Sequence, residues 1–132
     1  METLVFRTER RTQLLDITAA LGDAVAGWAG AAVIVFVPHT TAGIVLQASG
    51  PSATAVAPDI EAALERIVVE EWSWQHTSEG DRNPWAHVRA ALVGSSVTIP
   101  LAAGALALGA FQSVFLCEFD GPRERHVSLT LV

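Results

Sequence analysis

An unbroken apolar run at residues 31–37, Ala-Ala-Val-Ile-Val-Phe-Val, constrains the fold of this chain more than any other sequence feature. Because the run has no polar side, it predicts a central strand that is covered on both faces. Pro38 ends this strand and places the segment His39-Thr-Thr-Ala-Gly43 at its exit. A second strand is predicted to begin at residues 44–46.

Three helices follow from apolar residues at helical spacing and from the residues that cap such elements. They are predicted to begin at Asp16, Pro58 and Asn83, and the third is predicted to end at Gly94. In the second helix the apolar stripe consists of residues 60, 63, 64, 67 and 68. In the third helix Trp85, Val88 and Leu92 form the apolar side, and His87 points away from it.

Alternating apolar residues and further apolar runs predict four more strands, at residues 3–7, 96–101, 111–119 and 127–131. Strands outnumber helices and do not alternate strictly with them. The predicted fold class is therefore α+β.

Length and composition predict one compact domain that spans residues 1–132. Hydrophobic residues make up 51% of the chain, which suffices for a packed core and excludes disorder. No apolar run approaches the roughly 18 residues needed to span a membrane, and the sequence opens without the layout of a secretory signal. The single cysteine, Cys117, leads us to expect a reducing, cytoplasmic setting.

The charge balance narrows the choice of partners. Eight basic residues against 14 acidic ones give a net charge of −6, which argues against nucleic acid because phosphate binding depends on clustered cations. Charged residues make up only 17% of the chain, below the roughly 25% of an ordinary domain. We therefore expect part of the surface to be covered by another subunit.

Three of the four histidines lie where a function is plausible, although a structural role is commoner for any single histidine. His39 directly follows a buried strand, His76 ends the segment Trp72-Ser-Trp-Gln-His76, and His87 lies off the apolar side of its helix. Imidazole can act as an acid and a base near neutral pH, or bind a metal. The spacing of these histidines matches no local zinc motif, so a metal site would have to assemble in space.

A second candidate region is the segment Glu118-Phe-Asp-Gly-Pro-Arg123 at the end of an apolar strand. Asp120 and Arg123 fit a plain turn with a surface ion pair. Glu118 lies within the run that is suited to burial, and a buried carboxylate needs a partner. Arg123, Arg125 or a histidine could supply one.

A third candidate region is Gly94-Ser-Ser96, with Arg89 one helical turn earlier. Hydroxyls, backbone amides and a guanidinium could hold a phosphate. A helix C-terminus that leads into a strand is the favoured interpretation, because the helix dipole opposes an anion there. Trp74, beside His76, could stack on a heteroaromatic ligand, whereas tryptophans in general belong to cores or interfaces.

Taken together, these segments resemble the YjbQ-type family of small proteins, some members of which are described as secondary thiamine-phosphate synthases. The resemblance extends from Phe6 to the C-terminus. Its specific segments, in chain order, are Pro38-His-Thr-Thr-Ala-Gly43, His76-Thr-Ser-Glu-Gly80 with Ala86-His87, Gly94-Ser-Ser96, Ile99-Pro100, Gly104-x-Leu-x-Leu-Gly109, Gln112 and Glu118-Phe-Asp-Gly-Pro-Arg123.

The chain departs from the family pattern at three places. Gln47 and Ala48 stand where the family usually has Asn-Glu, and Gly109-Ala-Phe-Gln112 replaces Gly-Thr-Trp-Gln. Residues 49–53 replace an acidic loop. If the missing glutamate helps to bind substrate or metal, the activity of this member is weakened or altered.

The resemblance implies an α+β sandwich of two sheets with flanking helices, assembled as a homotrimer. It also implies a cleft near subunit contacts where His39, His76 and His87 converge, as catalytic residues with Glu118 or as ligands of a divalent metal ion, zinc or magnesium. The implied substrate-binding residues are Thr40, Thr41, Trp74, Glu79, Arg89, Ser96, Gln112, Asp120 and Arg123.

Three functional hypotheses remain open. The first is a transferase that joins an aminopyrimidine diphosphate to a thiazole phosphate, with Arg123, Arg89 and Ser96 stabilising the leaving diphosphate. The second is metal-assisted hydrolysis, with Glu79 or Glu118 as the base. The third is a trimeric module that binds a phosphorylated or heterocyclic metabolite without turnover, which the loss of the Asn-Glu pair favours.

Overall fold

The computed structural model describes residues 1–77 and 83–132, which contain eight strands and three helices. Their order is β1 (Glu2–Arg7), β2 (Gln13–Asp16), α1 (Thr18–Val25), β3 (Ala32–Phe36), β4 (Ala42–Ala48), α2 (Val56–Ile67), α3 (Pro84–Val93), β5 (Ser96–Ala102), β6 (Ala105–Leu106), β7 (Gln112–Glu118) and β8 (Glu124–Leu131). The predicted α+β class is confirmed. The sequence patterns predict neither β2 nor β6, because two to four residues are too few to establish a period.

The strands form two antiparallel sheets, a larger one in the order β1-β8-β3-β5-β6 and a smaller one in the order β2-β7-β4. β3 pairs with β5 on one side and β8 on the other, so the apolar run does form a central strand. Val33, Val35 and Leu129 of the larger sheet pack with Val114 and Leu116 of the smaller one. The core therefore lies between the two sheets, as the family resemblance implies.

The other face of the smaller sheet is covered by α2 and α3. Phe115, Cys117 and Phe119 point to this side and pack with Ala86 and Ala90 of α3. Burial raises the pKa of the Cys117 thiol to about 12, so this cysteine is an inert core residue. The layers of the molecule are thus the larger sheet, the smaller sheet and a pair of helices.

The outward face of the larger sheet differs from the prediction for residues 31–37. Val33 and Val35 are buried, but Ile34 and Phe36 point outward and are 36% and 41% exposed. Val5 on β1 also points outward and is 58% exposed. Within one chain the run is therefore covered on one face only, and an apolar surface remains open.

α3 turns a different side to the core than its sequence predicts. Its buried residues include Ala86 and Ala90, whereas Val88 and Leu92 are 38% and 60% exposed. Small side chains let the helix lie close to β4, where a Cβ atom on Gly43 would come within 2.5 Å of the carbonyl oxygen at the end of α3. The prediction was wrong because it assigned burial to the largest apolar residues, whereas close packing here selects the smallest ones.

Neither α1 nor α3 has the predicted side-chain cap. The N-cap of α1 is Ile17, and the carboxylate of Asp16, one residue earlier, accepts hydrogen bonds from the backbone N–H of Thr18 at 3.0 Å and from its hydroxyl at 2.6 Å. Asn83 makes no side-chain cap on α3. Its amide instead donates to the carboxylate of Asp120 at 2.7 Å.

α2 begins at Val56 and has Pro58 in its first turn, close to the predicted start. Ile60 and Leu64 of its predicted stripe pack against the core under the smaller sheet. Ile67, at the end of that stripe, is 71% exposed, which the sequence does not predict. Among the described residues, no helix combines the length and the apolar character that a membrane crossing requires.

Candidate functional site

A cleft runs along the exposed side of α3. One hollow of about 470 Å³ is lined by Trp74, His76, Pro84, His87 and Val88. A second hollow of about 400 Å³ is lined by His39, Thr40, Ala42, His87, Ala90, Ala91, Gly94 and Ser95. Because His87 lines both hollows, they are parts of one site, which we call the histidine cleft.

His87 lies at the centre of the histidine cleft, and one of its ring nitrogens has a backbone partner. Its Nδ1 lies 3.2 Å from the carbonyl oxygen of Thr40. Since a carbonyl oxygen only accepts, Nδ1 carries the hydrogen, and Nε2 is an acceptor whenever the ring is neutral. The ring of His76 packs edge-to-face on that of His87, with 5.2 Å between centroids. Two groups capable of proton transfer near neutral pH therefore lie side by side.

His39 forms a wall of the same cleft but has a different partner. Its Nε2 accepts a hydrogen bond of 2.9 Å from the backbone N–H of His126, which ties the loop after β3 to β8. Burial lowers the pKa of His39, and the nearby positive charge of Arg125 lowers it further. His39 is therefore a neutral acceptor engaged within the protein.

Glu118 is fully buried and forms an ion pair with Arg125. Its carboxylate accepts hydrogen bonds from Arg125 Nε at 2.9 Å, from the hydroxyl of Thr8 at 2.7 Å and from the backbone N–H of Asp120 at 3.0 Å. Burial alone would raise the pKa of Glu118, but these hydrogen bonds outweigh it and hold the pKa below its ordinary value. Glu118 is thus held within the protein as a structural carboxylate, and its expected catalytic role stays a prediction.

Arg125 connects this buried pair to the cleft. Its Nη2 donates to the hydroxyl of Thr41 at 2.8 Å and to the Thr41 carbonyl at 3.2 Å. Thr41 is itself buried, so it holds the loop and does not face a ligand. Glu118 and Arg125 therefore act on the cleft through the position of the neighbouring Thr40 and His39. From the sequence, Arg125 is only one of several possible partners of Glu118. The two residues lie on different sheets, so their contact depends on the fold.

The three predicted histidine ligands do not fit a metal site as they are placed. His76 and His87 are neighbours, but Nε2 of His39 is engaged by His126. In residues 1–77 and 83–132, no three His, Cys, Asp or Glu side chains are grouped so as to hold an ion. The donor set expected for zinc or magnesium is therefore not assembled there. Glu79 lies outside the described residues.

Arg89 was expected to hold an anion, and the structure corrects this. Its side chain is 1% exposed, and its Nε and Nη2 donate to the carbonyl oxygen of Val68 at 3.1 and 2.7 Å. The guanidinium therefore fastens the chain after α2 to α3. Arg89 has apolar neighbours in the sequence, which fits a buried structural role as well as the predicted anion-binding role.

Ser96 and Gln112 lie away from the cleft, contrary to expectation. Ser96 is exposed at the start of β5, opposite Phe36, and its neighbour Ser95 lines the cleft instead. Gln112 faces Ala48 at one end of β4, whereas the cleft adjoins the opposite end. Six residues of strand separate these ends, or roughly 20 Å.

Asp120 and Arg123 pair with each other, Arg123 Nη2 donating to the carboxylate at 2.8 Å and Nε to the Asp120 carbonyl at 2.8 Å. This is the plain turn with an ion pair that the sequence analysis weighed against a function. Neither residue lines the histidine cleft.

The sequence does not predict that one side of α3 lines the cleft along its length. Pro84, His87, Val88 and Ala91 line it and follow the spacing i, i+3, i+4 and i+7 of one helix side. That spacing around His87 is the signal that could have identified them. The prediction instead followed the larger apolar side chains of α3 and assigned Val88 to the core.

Comparison with known sequences settles the family. The sequence model described as UPF0047 protein YjbQ-like matches residues 2–132. The chain belongs to the YjbQ/UPF0047 family. A UPF0047 protein of Archaeoglobus fulgidus is 36% identical over 124 residues, covering 94% of each chain. The UPF0047 protein YugU of Bacillus subtilis is 34% identical over 131 residues, covering 95% of this chain and 93% of its own.

Solved structures agree with this assignment. A family member from Clostridium acetobutylicum matches with a TM-score of 0.91 and 33% identity over 100% of both chains. A hypothetical protein from Aeropyrum pernix matches with a TM-score of 0.87 and 34% identity, over 100% of this chain and 98% of the other. The first is described as uncharacterized, so these likenesses establish fold and family, while the chemistry rests on the cleft.

Proposed function

We propose that this protein is a transferase whose active site is the histidine cleft and whose reaction resembles that of a thiamine-phosphate synthase. A thiazole nitrogen would attack the methylene carbon of an aminopyrimidine diphosphate, forming a C–N bond while the C–O bond breaks and diphosphate leaves. The observation that carries this proposal is the contact between His76 and His87 in a hollow that Trp74 also lines. Tryptophan and imidazole together suit a flat, nitrogen-rich ring.

Each of these side chains has a role in the proposed reaction. The indole of Trp74 is held by its N–H, which donates to the carbonyl oxygens of Val69 and Glu70 at 3.2 and 2.9 Å. Its ring can therefore stack on the pyrimidine. The acceptor Nε2 of His87 suits the exocyclic amino group, which gains positive character as the diphosphate departs. His76 is placed to exchange a proton with the substrate beside it.

A second candidate function is binding of a heterocyclic metabolite without turnover. Arg89 and Arg123 are engaged elsewhere in the protein. The described residues that line the cleft include neither Lys nor Arg to neutralise a leaving diphosphate. This feature favours a binding module over a transferase, because departure of diphosphate requires positive charge.

An assay of both substrates with the purified protein separates the two candidates. The transferase predicts that thiamine phosphate and diphosphate form together, and that His87→Asn lowers the rate about 100-fold or more. Leu92→Ala, further along α3 and outside the cleft, is the matched control and should retain the rate. No product, combined with a raised Tm in thiamine phosphate, supports the binding module. Neither product nor stabilisation contradicts both.

We also propose that the outward face of the larger sheet is covered by other copies of the chain, three in all as the family resemblance implies. Ile34, Phe36 and Val5 form an open apolar surface on that face. Contact with further copies would remove this surface from water and would account for the low content of charged residues.

A further inference from the structure

We propose that an apolar hollow beside the histidine cleft is a second ligand subsite, which takes an aromatic ring or short aliphatic group of the bound molecule. The hollow has a volume of about 300 Å³, and we call it the tryptophan hollow. Its lining residues are Ile67, Val68, Val69, Trp72, Trp74 and Val88. Because all six side chains are apolar apart from the indole N–H groups, the chemistry of the hollow selects an apolar group.

The tryptophan hollow adjoins the histidine cleft. Trp74 and Val88 line both of them, and His87 is the residue before Val88 on α3. One molecule can therefore place an apolar group against the tryptophans while its polar part reaches His76 and His87. This geometry favours a small molecule with an apolar end and a polar end.

The walls of the tryptophan hollow are fixed by contacts within the protein. The N–H of Trp74 is satisfied by the carbonyls of Val69 and Glu70, so the indole presents apolar surface. Trp72 packs against it edge-to-face, with 4.8 Å between centroids and 85° between planes. These contacts hold the ring of Trp74, so less of its conformational freedom is lost when a ligand binds.

Arg89 supports the same region from beneath. Its buried guanidinium donates twice to the carbonyl oxygen of Val68, which lies at the start of the segment that carries both tryptophans. Burial of a charged side chain is costly, and the partner of Arg89 here is a backbone carbonyl. We infer that this contact positions the segment with Trp72 and Trp74 for binding, so that Arg89 is a positioning residue of the subsite.

Most of the residues that line the tryptophan hollow are open to solvent. Ile67, Val69 and Trp72 are 71%, 42% and 69% exposed, and they line the same hollow. A contiguous apolar surface of this kind marks a binding site more often than an ordinary surface. Its position beside the histidine cleft indicates a ligand group as the occupant.

The proposal rests on the proposed function for the polar end of the ligand only, so the experiment uses separate probes for the two ends. We would titrate the full chain with 1-naphthol, 1-naphthyl phosphate and inorganic phosphate by calorimetry. We expect 1-naphthol to bind, and Trp72→Ala and Val88→Asp to weaken it about tenfold or more. Both residues are exposed, so both variants should fold, which an unchanged Tm confirms. Leu92→Ala is the matched control and should bind normally.

Failure of 1-naphthol to bind, or binding that neither variant weakens, would overturn the subsite. If Trp72→Ala instead lowers the molar mass of the assembly and 1-naphthol does not bind, a second copy of the chain occupies the hollow, which also overturns it. If 1-naphthol binds in a Trp72-dependent manner but 1-naphthyl phosphate binds no tighter, the subsite stands and the polar half of the proposed function fails.

Discussion

Among single residues, Glu118 and Arg125 have the largest effect on the architecture of the site. Both side chains are almost fully buried, at 0% and 3% exposure, and their ion pair is completed by Thr8 and Thr41. Because each charge has the other as its buried counter-charge, removal of one leaves the other uncompensated in the core. The pair thus fixes the loop that carries His39 and Thr40.

We expect Glu118→Gln to lower the free energy of unfolding by about 3 kcal/mol, because it leaves the guanidinium of Arg125 without its counter-charge. Urea denaturation at neutral pH measures this loss. Glu124→Gln is the matched control, since Glu124 is 60% exposed and pairs with His126 at the surface; its expected loss is below about 0.5 kcal/mol. Equal losses in the two variants would contradict a structural role for the buried pair.

His39 gives a prediction about pH. Burial, with the charge of Arg125, lowers its pKa below the ordinary value of 6.5, so the unfolded chain takes up this proton more readily than the folded chain. Stability contributed by His39 is therefore complete above the ordinary pKa and declines as the pH falls below it. We expect His39→Gln, whose amide oxygen can accept the hydrogen bond from His126, to show a smaller decline.

Urea midpoints measured between about pH 7.5 and about pH 5.5 test this prediction. The window isolates His39 from Glu118, because the stabilisation by a carboxylate whose folded pKa is lowered is complete above the ordinary carboxyl pKa of 4.5 and declines only at lower pH. Parallel profiles for wild type and His39→Gln would show that His39 does not titrate as its surroundings require.

The sequence predicts part of this residue-scale picture. A glutamate in an apolar run must have a partner, and that requirement correctly anticipated an ion pair at Glu118. The choice of Arg125 over Arg123 depends on which strand faces which across the core, and local spacing carries no such information. Arg89 illustrates the same limit, since its partner is a backbone carbonyl.

At the scale of elements, α3 and β4 determine the shape of the histidine cleft. Gly43 on β4 leaves no room for a side chain, because a Cβ atom there would lie 2.5 Å from the Gly94 carbonyl oxygen and 2.8 Å from Val93. Backbone cannot move aside as easily as a flexible side chain. The close approach of helix and strand therefore depends on this glycine.

We expect Gly43→Ala to destabilise the protein by about 1–3 kcal/mol, because the extra methyl group forces α3 away from β4. Gly22→Ala is the matched control: a Cβ atom on Gly22 meets nothing within 4 Å, and the site is inside α1. That change should stabilise by about 0.5–1 kcal/mol. Thermal unfolding of both variants measures the contrast, and a neutral Gly43→Ala would contradict the tight packing.

Element boundaries were easier to predict than the faces that the elements bury. Pro38, Pro58 and Gly94 mark ends and starts through local backbone restrictions, which operate without tertiary context. The buried face of α3 depends on how closely β4 allows it to approach, and the open face of β3 depends on what lies beyond the chain. Neither quantity is encoded in local apolar spacing.

At the scale of the whole molecule, the open face of the larger sheet predicts self-association. We expect the wild-type protein to have about three times the 14.0 kDa mass of the chain in light scattering. Ile34→Glu should lower the measured mass towards that of a single chain, because a charge would be buried at the contact. Phe111→Glu changes a side chain that is 74% exposed in the loop before β7 and should leave the mass unchanged. A single-chain mass for the wild type would contradict a subunit contact on this sheet.

The site itself could be foreseen from the sequence only as a set of residues. Histidines 39, 76 and 87 were singled out by their positions at element boundaries, and all three line the described cleft. In the structure His76 contacts His87, whereas His39 is engaged by His126. Local sequence does not predict this difference, because each contact joins residues that are distant in the chain. The metal expectation depends on three converging donors, and the described residues do not bring three together, so it stays a prediction.

A nuclear magnetic resonance titration of the histidine ring nitrogens with thiamine phosphate tests whether the histidine cleft is the functional site, with assignments made by single His→Asn variants. We expect Nε2 of His87 and the ring nitrogens of His76 to shift in proportion to bound ligand, while Nδ1 of His87 keeps its hydrogen on the Thr40 carbonyl. The exposed ring of His126, which pairs with Glu124, should not move. Shifts confined to His126, or no shift in either His76 or His87 at saturating ligand, would contradict the histidine cleft as the functional site.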